Sequence, residues 1–482
     1  MRFLSLLLGG WLACLAPASA QPLPELGDAA GAAIAPQVER RIGEAIARDI
    51  RFRNPSYVDD AEINDYLDSL GRRLLAASAQ ARQGFEFEFF AVRDAAINAF
   101  ALPGGFVGVH TGLLLAAGNE SELASVLAHE IAHVTQRHIA RQIGAQQQMQ
   151  LPSMVALAAA ILLGASRPDL AAGAAAAAQG GVIQQQLNYT RDFEREADRI
   201  GYRMLLEAGF DVRAMPGFFE KMQRYSRLGD DGSVPSYLRT HPMTTERIAD
   251  AQGRAEHAPY RQYMDSLDFH LARAKLRAEA GEPLDAVATL AGAVRDRRYA
   301  NEAAARYGLV VAQLRARQVA EAQGGLESLR ATGAASPMIE ALAARVQQAA
   351  GDEAGALATL RQALQRYPGR LPLVYELAQA LQRTGQQKAA LAVLQESVRR
   401  HPDDARLRAL QAQSYAALGK RLLQHQAQAE LYVLHGSMPA AIEQLQLAQS
   451  AGDGDFYELS AVEARLRELR ARHADELRSA KR

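Results

Sequence analysis

The segment from His129 to His133 reads His-Glu-Ile-Ala-His. The four-residue separation of its histidines suits metal binding when the segment is an α-helix. Two histidines four residues apart lie on the same helix face, one turn apart, so both imidazoles can bind one metal ion. Glu130 then lies beside that ion, where a carboxylate can take a proton from the water that the metal activates. The pattern therefore predicts a helix that carries a zinc hydrolase site.

The flanking residues favour this helix. Gly118 and Asn119 mark a break, and good helix formers with acidic residues near the start follow from Glu120 to Ala128. A surface helix with incidental histidines is the alternative interpretation.

A third protein ligand is expected, because catalytic zinc takes three and leaves one position open for water or substrate. The best source is the stretch from Tyr189 to Asp198. Glu194 and Asp198 are four residues apart and share a helix face, so one can bind the metal while the other accepts the free N–H of a ligating histidine. Glu196 is about 200° around the same helix and cannot take that role in the same orientation. Without the histidine pair, a solvated charged helix would be the better interpretation.

These two motifs resemble those of the CAAX-prenyl-protease-like zinc metallopeptidases, a family that includes the membrane heat-shock protease X. Further similar stretches are Ile97–Ala101, Ala124–Arg141, Glu194–Gly201 and His241-Pro242. In that family the first glutamate of the second motif is the third ligand. The resemblance therefore implies that His129, His133 and Glu194 bind one Zn²⁺ per chain, that Glu130 is the catalytic base, and that Asp198 orients a ligand from behind.

The chain is most similar to periplasmic members of that family that carry a signal peptide and C-terminal tetratricopeptide repeats. The resemblance implies a metalloendopeptidase that degrades misfolded or stalled outer-membrane proteins and assists their assembly. Its expected partners are unfolded or stalled outer-membrane proteins and the outer-membrane β-barrel assembly machinery. The alternative is a chaperone or assembly factor that acts mainly by binding through its repeats, with proteolysis latent.

His241 is a further candidate site residue. Ser236 to Met243 is predicted to form a loop, followed by a helix that starts near Thr244. The family carries a His-Pro here and an arginine soon after, matched by Arg247. His241 either reaches the zinc as a fourth ligand, or stabilises the oxyanion of the reaction, or only positions the turn.

His138 and His110 are given no role in the site. His138 is five residues past His133, about 140° around the helix, so it is expected to face away from the metal. The spacing of His110 indicates no contact with the ion.

Composition limits the partners and the location. The 482 residues include 54 basic and 54 acidic side chains, so the chain lacks the basic footprint of a nucleic-acid-binding protein. Residues 1–20 are predicted to be a signal peptide cleaved after Ala20, with Arg2, an apolar core and an Ala-x-Ala end. Cys14 is the only cysteine, so the zinc site of the mature chain cannot use thiolates.

A small sheet is predicted to precede the zinc helix. Two amphipathic helices are expected within residues 36–80, and Phe85–Phe89 alternates with the period of a strand. Phe100–His110 is a second strand region with a turn at Pro103-Gly104-Gly105. Either Phe100–Leu102 or Phe106–Gly108 is the edge that binds a substrate backbone, or both are ordinary core strands.

The apolar stretch Leu151–Gly164 is shorter than the ~20 residues that span a bilayer. A buried helix is expected there, with peripheral membrane contact as a minority hypothesis.

Helical repeats are predicted in the C-terminal half. Gly351, Gly385 and Gly419 are each 34 residues from the next, the period of tetratricopeptide repeats. The predicted fold is mainly α: a helical zinc-metalloprotease domain with a small β-sheet, followed by an α-solenoid. The predicted division is 1–20 signal peptide, 21–260 metallopeptidase domain and 261–482 repeat domain.

Overall fold

The computed structural model describes residues 34–78, 85–145, 191–228, 236–259 and 261–480. The predicted signal peptide (1–20) and the apolar stretch 151–164 lie outside the described residues. Within those ranges, no helix combines the length and the apolar character that crossing a membrane requires.

The first part of the described chain forms a helical domain around a small sheet. Its helices are α1 (Pro36–Arg53), α2 (Ala61–Ala77), α3 (Thr111–Ala116), α4 (Glu120–Thr135), α5 (His138–Ala145), α6 (Arg191–Glu207), α7 (Ala214–Leu228), α8 (Ser236–Thr240) and α9 (Thr245–Glu256). Its strands are β1 (Glu88–Val92), β2 (Ala99–Leu102) and β3 (Phe106–His110).

The sheet has the order β1-β3-β2, with β1 parallel and β2 antiparallel to the central strand β3. Gly104 and Gly105 have φ of 77° and 106°, which lets the chain turn tightly between β2 and β3. The predicted turn is therefore confirmed, although the strand expected from Phe85 begins at Glu88. The hypothesis that Phe106–Gly108 is a sheet edge is wrong, because β3 pairs on both sides. The segment Phe100–Leu102 lies in β2, at the edge of the described sheet.

Helix α4 runs through the centre of this domain. Its N-terminus is capped by Asn119, whose side chain accepts from the Glu122 amide at 2.9 Å. Every residue from Glu120 to Val134 is buried, and Leu123, Leu127 and Ile131 are in the hydrophobic core. A helix that is buried all round can hold polar side chains in a water-poor interior, which is where a metal site needs them.

Helix pairs make up the remainder of the described chain. They are α10 (Leu267–Ala278), α11 (Pro283–Arg295), α12 (Glu302–Arg315), α13 (Val319–Arg330), α14 (Pro337–Ala349), α15 (Glu353–Arg366), α16 (Leu371–Arg383), α17 (Gln387–Arg400), α18 (Ala405–Ala417), α19 (Arg421–Leu434), α20 (Met438–Gln449) and α21 (Phe456–Ala480). The predicted fold class, a mainly α protein with a small sheet and a helical-repeat array, is confirmed.

The glycines of the 34-residue period end the first helix of each pair. Gly351, Gly385 and Gly419 have φ of 83°, 74° and 71°, a conformation that costs glycine little. Arg317 takes the same position 34 residues before Gly351, with φ of 59°. Because this unit has arginine in place of glycine, the spacing of glycines did not reveal it.

Buried charges join the repeat array to the first domain. Glu62 on α2 forms ion pairs with Lys275 of α10 and, at 3.1 Å, with Arg345 of α14. Burial alone would lower the pKa of Lys275, but Glu62 and Asp60 raise it, so the ammonium stays charged. The two domains are therefore joined by ionic contacts that are buried or half-buried.

Helix α10 belongs to both cores. Phe269, Ala272 and Leu276 pack in the core around α4, whereas Leu271 and Ala274 pack in the first repeat core. The domain boundary at 260/261, which puts α10 in the array, stays a prediction.

We expect Glu62→Gln to lower the free energy of unfolding by about 1–3 kcal/mol, because the buried Lys275 and the half-buried Arg345 lose their shared carboxylate but keep Asp60 and Glu376. Urea denaturation of the full chain measures this change. Glu396→Gln is the control, since Glu396 makes an exposed pair with Arg400 at 2.8 Å and is expected to contribute little to the stability of the fold. Equal losses in the two variants would contradict the assignment.

Candidate metal centre

Close packing of α6 on α4 brings the two sequence motifs together. A Cβ added to Gly201 of α6 would lie 3.1 Å from the carbonyl carbon of Ala128 and 3.1 Å from the amide nitrogen of His129. Only a glycine lets the two backbones approach this closely. The carboxylate of Glu194 consequently reaches the imidazoles of α4.

Four buried side chains meet at one point: His129, His133, Glu194 and His241. The Nε2 atoms of His129 and His133 are 2.9 Å apart, and each is 3.4 Å from an oxygen of Glu194. The Nδ1 atom of His241 lies 3.3 Å from Nε2 of His129 and 3.2 Å from Oε1 of Glu194. The structure thus brings together both motifs and the histidine after α8.

The spacing of these donor atoms fits a zinc ion. Donors about 2.0–2.1 Å from a tetrahedral zinc are about 3.3–3.4 Å from one another. Four of the donor distances given above are 3.2–3.4 Å, and the distance between the two Nε2 atoms is shorter, at 2.9 Å. Three imidazoles and one carboxylate are also donors that zinc prefers. If all four side chains bound one tetrahedral zinc ion, no position would remain for water.

Arg247 and Asp198 support the cluster from behind. Asp198 Oδ1 is 2.9 Å from Nδ1 of His129, the ring nitrogen that points away from the cluster. Arg247 donates to both oxygens of Asp198, at 2.7 and 2.8 Å, and lies 2.8 Å from Glu194 Oε2. Arg247 is 3% exposed, so this pairing takes place in the protein interior. Thr244 caps the helix that carries Arg247, which begins at Thr245 as the sequence predicted to within a residue.

His241 is held in place by its own short helix. Ser236–Thr240 forms α8, so the prediction of a loop there is wrong. The Tyr237 ring stacks on the imidazole with centroids 4.8 Å apart, and the Tyr237 amide donates to the Ile97 carbonyl at 3.3 Å. The second ring nitrogen, Nε2, is 3.3 Å from Glu130 Oε1. His241 therefore lies between the metal ligands and the carboxylate of the helix motif.

The protein interior shifts the pKa values of Glu130 and Glu194 in opposite directions. Burial raises the pKa of Glu130, and the facing His241 and His129 oppose that effect only in part. Burial would also raise the pKa of Glu194, but His241, His129 and His133 hold it well below its usual range. Carboxyls whose pKa values are driven apart have the properties of a proton acceptor and of an ionised ligand.

His138 does not face away from the metal ligands, so that prediction is wrong. Helix α4 ends at Thr135, and Arg137, with φ of 53°, turns the chain before α5 begins. As a result, Nδ1 of His138 lies 2.8 Å from Nδ1 of His133, and its Nε2 lies 3.2 Å from Glu196 Oε2. His110 is not in the four-residue cluster; its Nδ1 is 3.7 Å from Asp94 Oδ2.

The fold and this centre define a zinc metallopeptidase of the His-Glu-x-x-His type with a C-terminal helical-repeat array. A model of peptidase family M48 matches residues 61–255, and a tetratricopeptide repeat model matches residues 348–414. The chain belongs to peptidase family M48, in agreement with the resemblance of its motifs.

Several relatives are similar to this chain. It is 32% identical to the beta-barrel assembly-enhancing protease of Escherichia coli (strain K12) over 460 residues, which are 94% of this chain and 92% of that protein. A similarly named protein of Vibrio cholerae is 44% identical over 278 residues, 57% of this chain and 56% of that protein. The mitochondrial metalloendopeptidase OMA1 of Schizosaccharomyces pombe is 32% identical over 189 residues, 38% of this chain and 50% of that protein.

We expect Gly201→Ala to weaken zinc binding, because the added methyl group meets the α4 backbone and moves Glu194 away from His129. The measurement is zinc content after dialysis against a chelator. Gly253→Ala is the matched control: Gly253 lies within α9, nothing is within 4 Å of its added Cβ, and it should keep zinc. That control should also stabilise the fold by about 0.5–1 kcal/mol. Unchanged zinc retention in Gly201→Ala would contradict the packing argument.

Proposed function

We propose that this chain is a periplasmic zinc metalloendopeptidase that cleaves misfolded or stalled outer-membrane proteins and assists the assembly of others. The observation that carries the proposal is the buried four-donor cluster with Glu130 beside it. The substrate class is inferred from the printed name of the Escherichia coli relative, which this chain matches over most of its length. The periplasmic location is inferred from the predicted signal peptide.

In this proposal His129, His133 and Glu194 hold the metal. Zinc bound there supplies a Lewis acid that activates water and polarises the peptide carbonyl. Glu130 accepts the proton of the attacking water, because its raised pKa suits a general base. Asp198 accepts the outward N–H of His129 and keeps that ring oriented towards the metal.

The substrate backbone is proposed to pair with β2. This strand packs beside α4 and is at the edge of the described sheet, so an extended peptide added there would pass close to Glu130. The repeat array is proposed to bind client proteins and the outer-membrane β-barrel assembly machinery, because stacked helix pairs build extended binding surfaces.

His241 is proposed to restrain the enzyme. Its Nδ1 lies 3.2 Å from Glu194 and would supply a fourth donor to the metal, and its Nε2 lies 3.3 Å from Glu130. Glu130 and His241 are 0% and 1% exposed, so a substrate can reach them only after this arrangement opens. The closed centre also favours the alternative in which binding dominates and proteolysis is latent.

We expect Glu130→Gln to keep zinc and to lose peptide hydrolysis by about 10²–10⁴-fold, because an amide cannot accept the proton of water. Casein cleavage and zinc content by mass spectrometry measure the two effects. His133→Ala is the contrasting variant and should lose the metal. Casein cleavage at near the wild-type rate would exclude Glu130 as the base.

The same Glu130→Gln variant separates the two proposed functions in cells. If the inactive variant fully restores outer-membrane protein assembly in cells that lack the wild-type protein, the protein acts mainly by binding. If the inactive variant does not restore assembly, the role of the protein in cells depends on peptide cleavage.

We expect His241→Ala to cleave casein faster than the wild-type chain, because the fourth donor is removed and the base is released. Zinc content should change little, since three ligands remain. His257→Ala, an exposed histidine of the same domain, is the control. A fall in kcat would instead assign oxyanion stabilisation to His241, and unchanged kinetics would leave only a role in positioning the turn.

A further inference from the structure

His133 directs its two ring nitrogens to different partners. Its Nε2 is in the donor cluster, 2.9 Å from Nε2 of His129, whereas its Nδ1 lies 2.8 Å from Nδ1 of His138. His138 is 0% exposed, so this contact is made without competition from bulk water.

The contact continues to a carboxylate. Nε2 of His138 lies 3.2 Å from Oε2 of Glu196, and the same oxygen accepts from Nη1 of Arg141 at 2.8 Å. The Phe193 ring stacks on the imidazole of His138 with centroids 4.6 Å apart. The guanidinium of Arg141 lies over the same Phe193 ring, 4.6 Å from its centroid. The imidazole of His138 is therefore fixed in both position and orientation.

Only one assignment of protons satisfies this chain of contacts. A nitrogen that binds a metal carries no proton, so neutral His133 has its proton on Nδ1 and donates it. Nδ1 of His138 must then accept, which places the proton of His138 on Nε2. That N–H donates to Glu196, whose carboxylate only accepts. The hydrogen bonds thus run in one direction, from the ligand to the carboxylate.

The two histidines of the motif are supported in parallel ways. Nδ1 of His129 lies 2.9 Å from Asp198, which is held by Arg247. His133 reaches a carboxylate through a second imidazole, and that carboxylate is held by Arg141. Such partners behind a ligand fix its tautomer and raise its basicity, and their loss typically costs about 10–100-fold in metal affinity.

We propose that His138 is a positioning residue for the metal ligand His133, with Glu196 as the terminal acceptor. The proposal rests on the assignment of His133 as a zinc ligand, which His133→Ala tests separately. The break after Thr135 is part of the arrangement, because an uninterrupted α4 would carry His138 to the opposite side of the helix.

The test compares two substitutions in the full-length chain by zinc affinity, measured in competition with a chelator of known affinity. We expect His138→Leu to bind zinc about 10–100-fold more weakly, because Nδ1–H of His133 loses its acceptor. His138→Asn should recover most of that loss, since its Oδ1 occupies nearly the position of the Nδ1 acceptor. Neither variant removes a ligand, so zinc stoichiometry at saturation should stay at one.

A merely structural role predicts a different pattern. It would lower the melting temperature of the zinc-free protein and would impair both variants alike. Equal zinc affinities in His138→Leu and His138→Asn, or wild-type affinity in His138→Leu, would overturn the proposal.

A surface variant keeps the proposal testable if substitution of His138 prevents folding. Glu196 is partly exposed, and Glu196→Ala should weaken zinc binding by a smaller factor than His138→Leu. Glu246→Ala is its matched control, because Glu246 is exposed and pairs with Arg195 instead. Identical zinc affinity in these two glutamate variants would remove Glu196 from the chain of hydrogen bonds and overturn the proposal.

Discussion

One buried guanidinium, that of Arg247, pairs with two carboxylates of the metal centre and holds the pKa of Asp198 below its usual range. Asp198 and Glu194 lie in an interior with little water, where two carboxylates would repel each other and take up protons. Arg247 contacts both, so the first can accept from His129 and the second can face the metal. The same guanidinium donates to the Pro242 carbonyl at 2.9 Å, which connects the charge balance of the centre to the position of His241.

The repeat array is connected to the zinc helix through a second set of buried polar contacts. The Glu120 carboxylate at the start of α4 accepts from Tyr66 of α2, from Tyr263 and from Ser266, the cap of α10. The helix that carries the metal ligands and the first repeat helix therefore share one carboxylate. These polar contacts and the apolar side chains that α10 buries around α4 together join the two domains.

Features that depend on local spacing could be predicted from the sequence. The helix of the His-Glu-x-x-His motif, the face shared by Glu194 and Asp198, the hairpin turn at Gly104 and the 34-residue period all follow from the geometry of single elements. The fold class and the class of enzyme followed from them. The roles of the individual site residues stay predictions, although the structure places those residues together.

Features that depend on where an element ends were predicted poorly. His138 was expected on the far side of α4, but the left-handed conformation of Arg137 ends the helix and returns the chain to His133. No propensity indicates a left-handed arginine, and Arg317 escaped notice for the same reason. The choice between two candidate edge strands likewise depended on pairing that neither strand reveals alone.

The sequence by itself determined which side chains share a helix face, because the α-helix has a fixed period. Metal ligands that lie on one face are therefore four residues apart in the sequence. Only the tertiary structure decided which faces meet. The approach of α6 to α4 at Gly201, the placement of His241 between ligands and base, and the reach of Arg247 to two carboxylates all join segments far apart in the chain. Such contacts depend on how the helices pack against one another, and the separation of two residues along the chain does not indicate whether they touch.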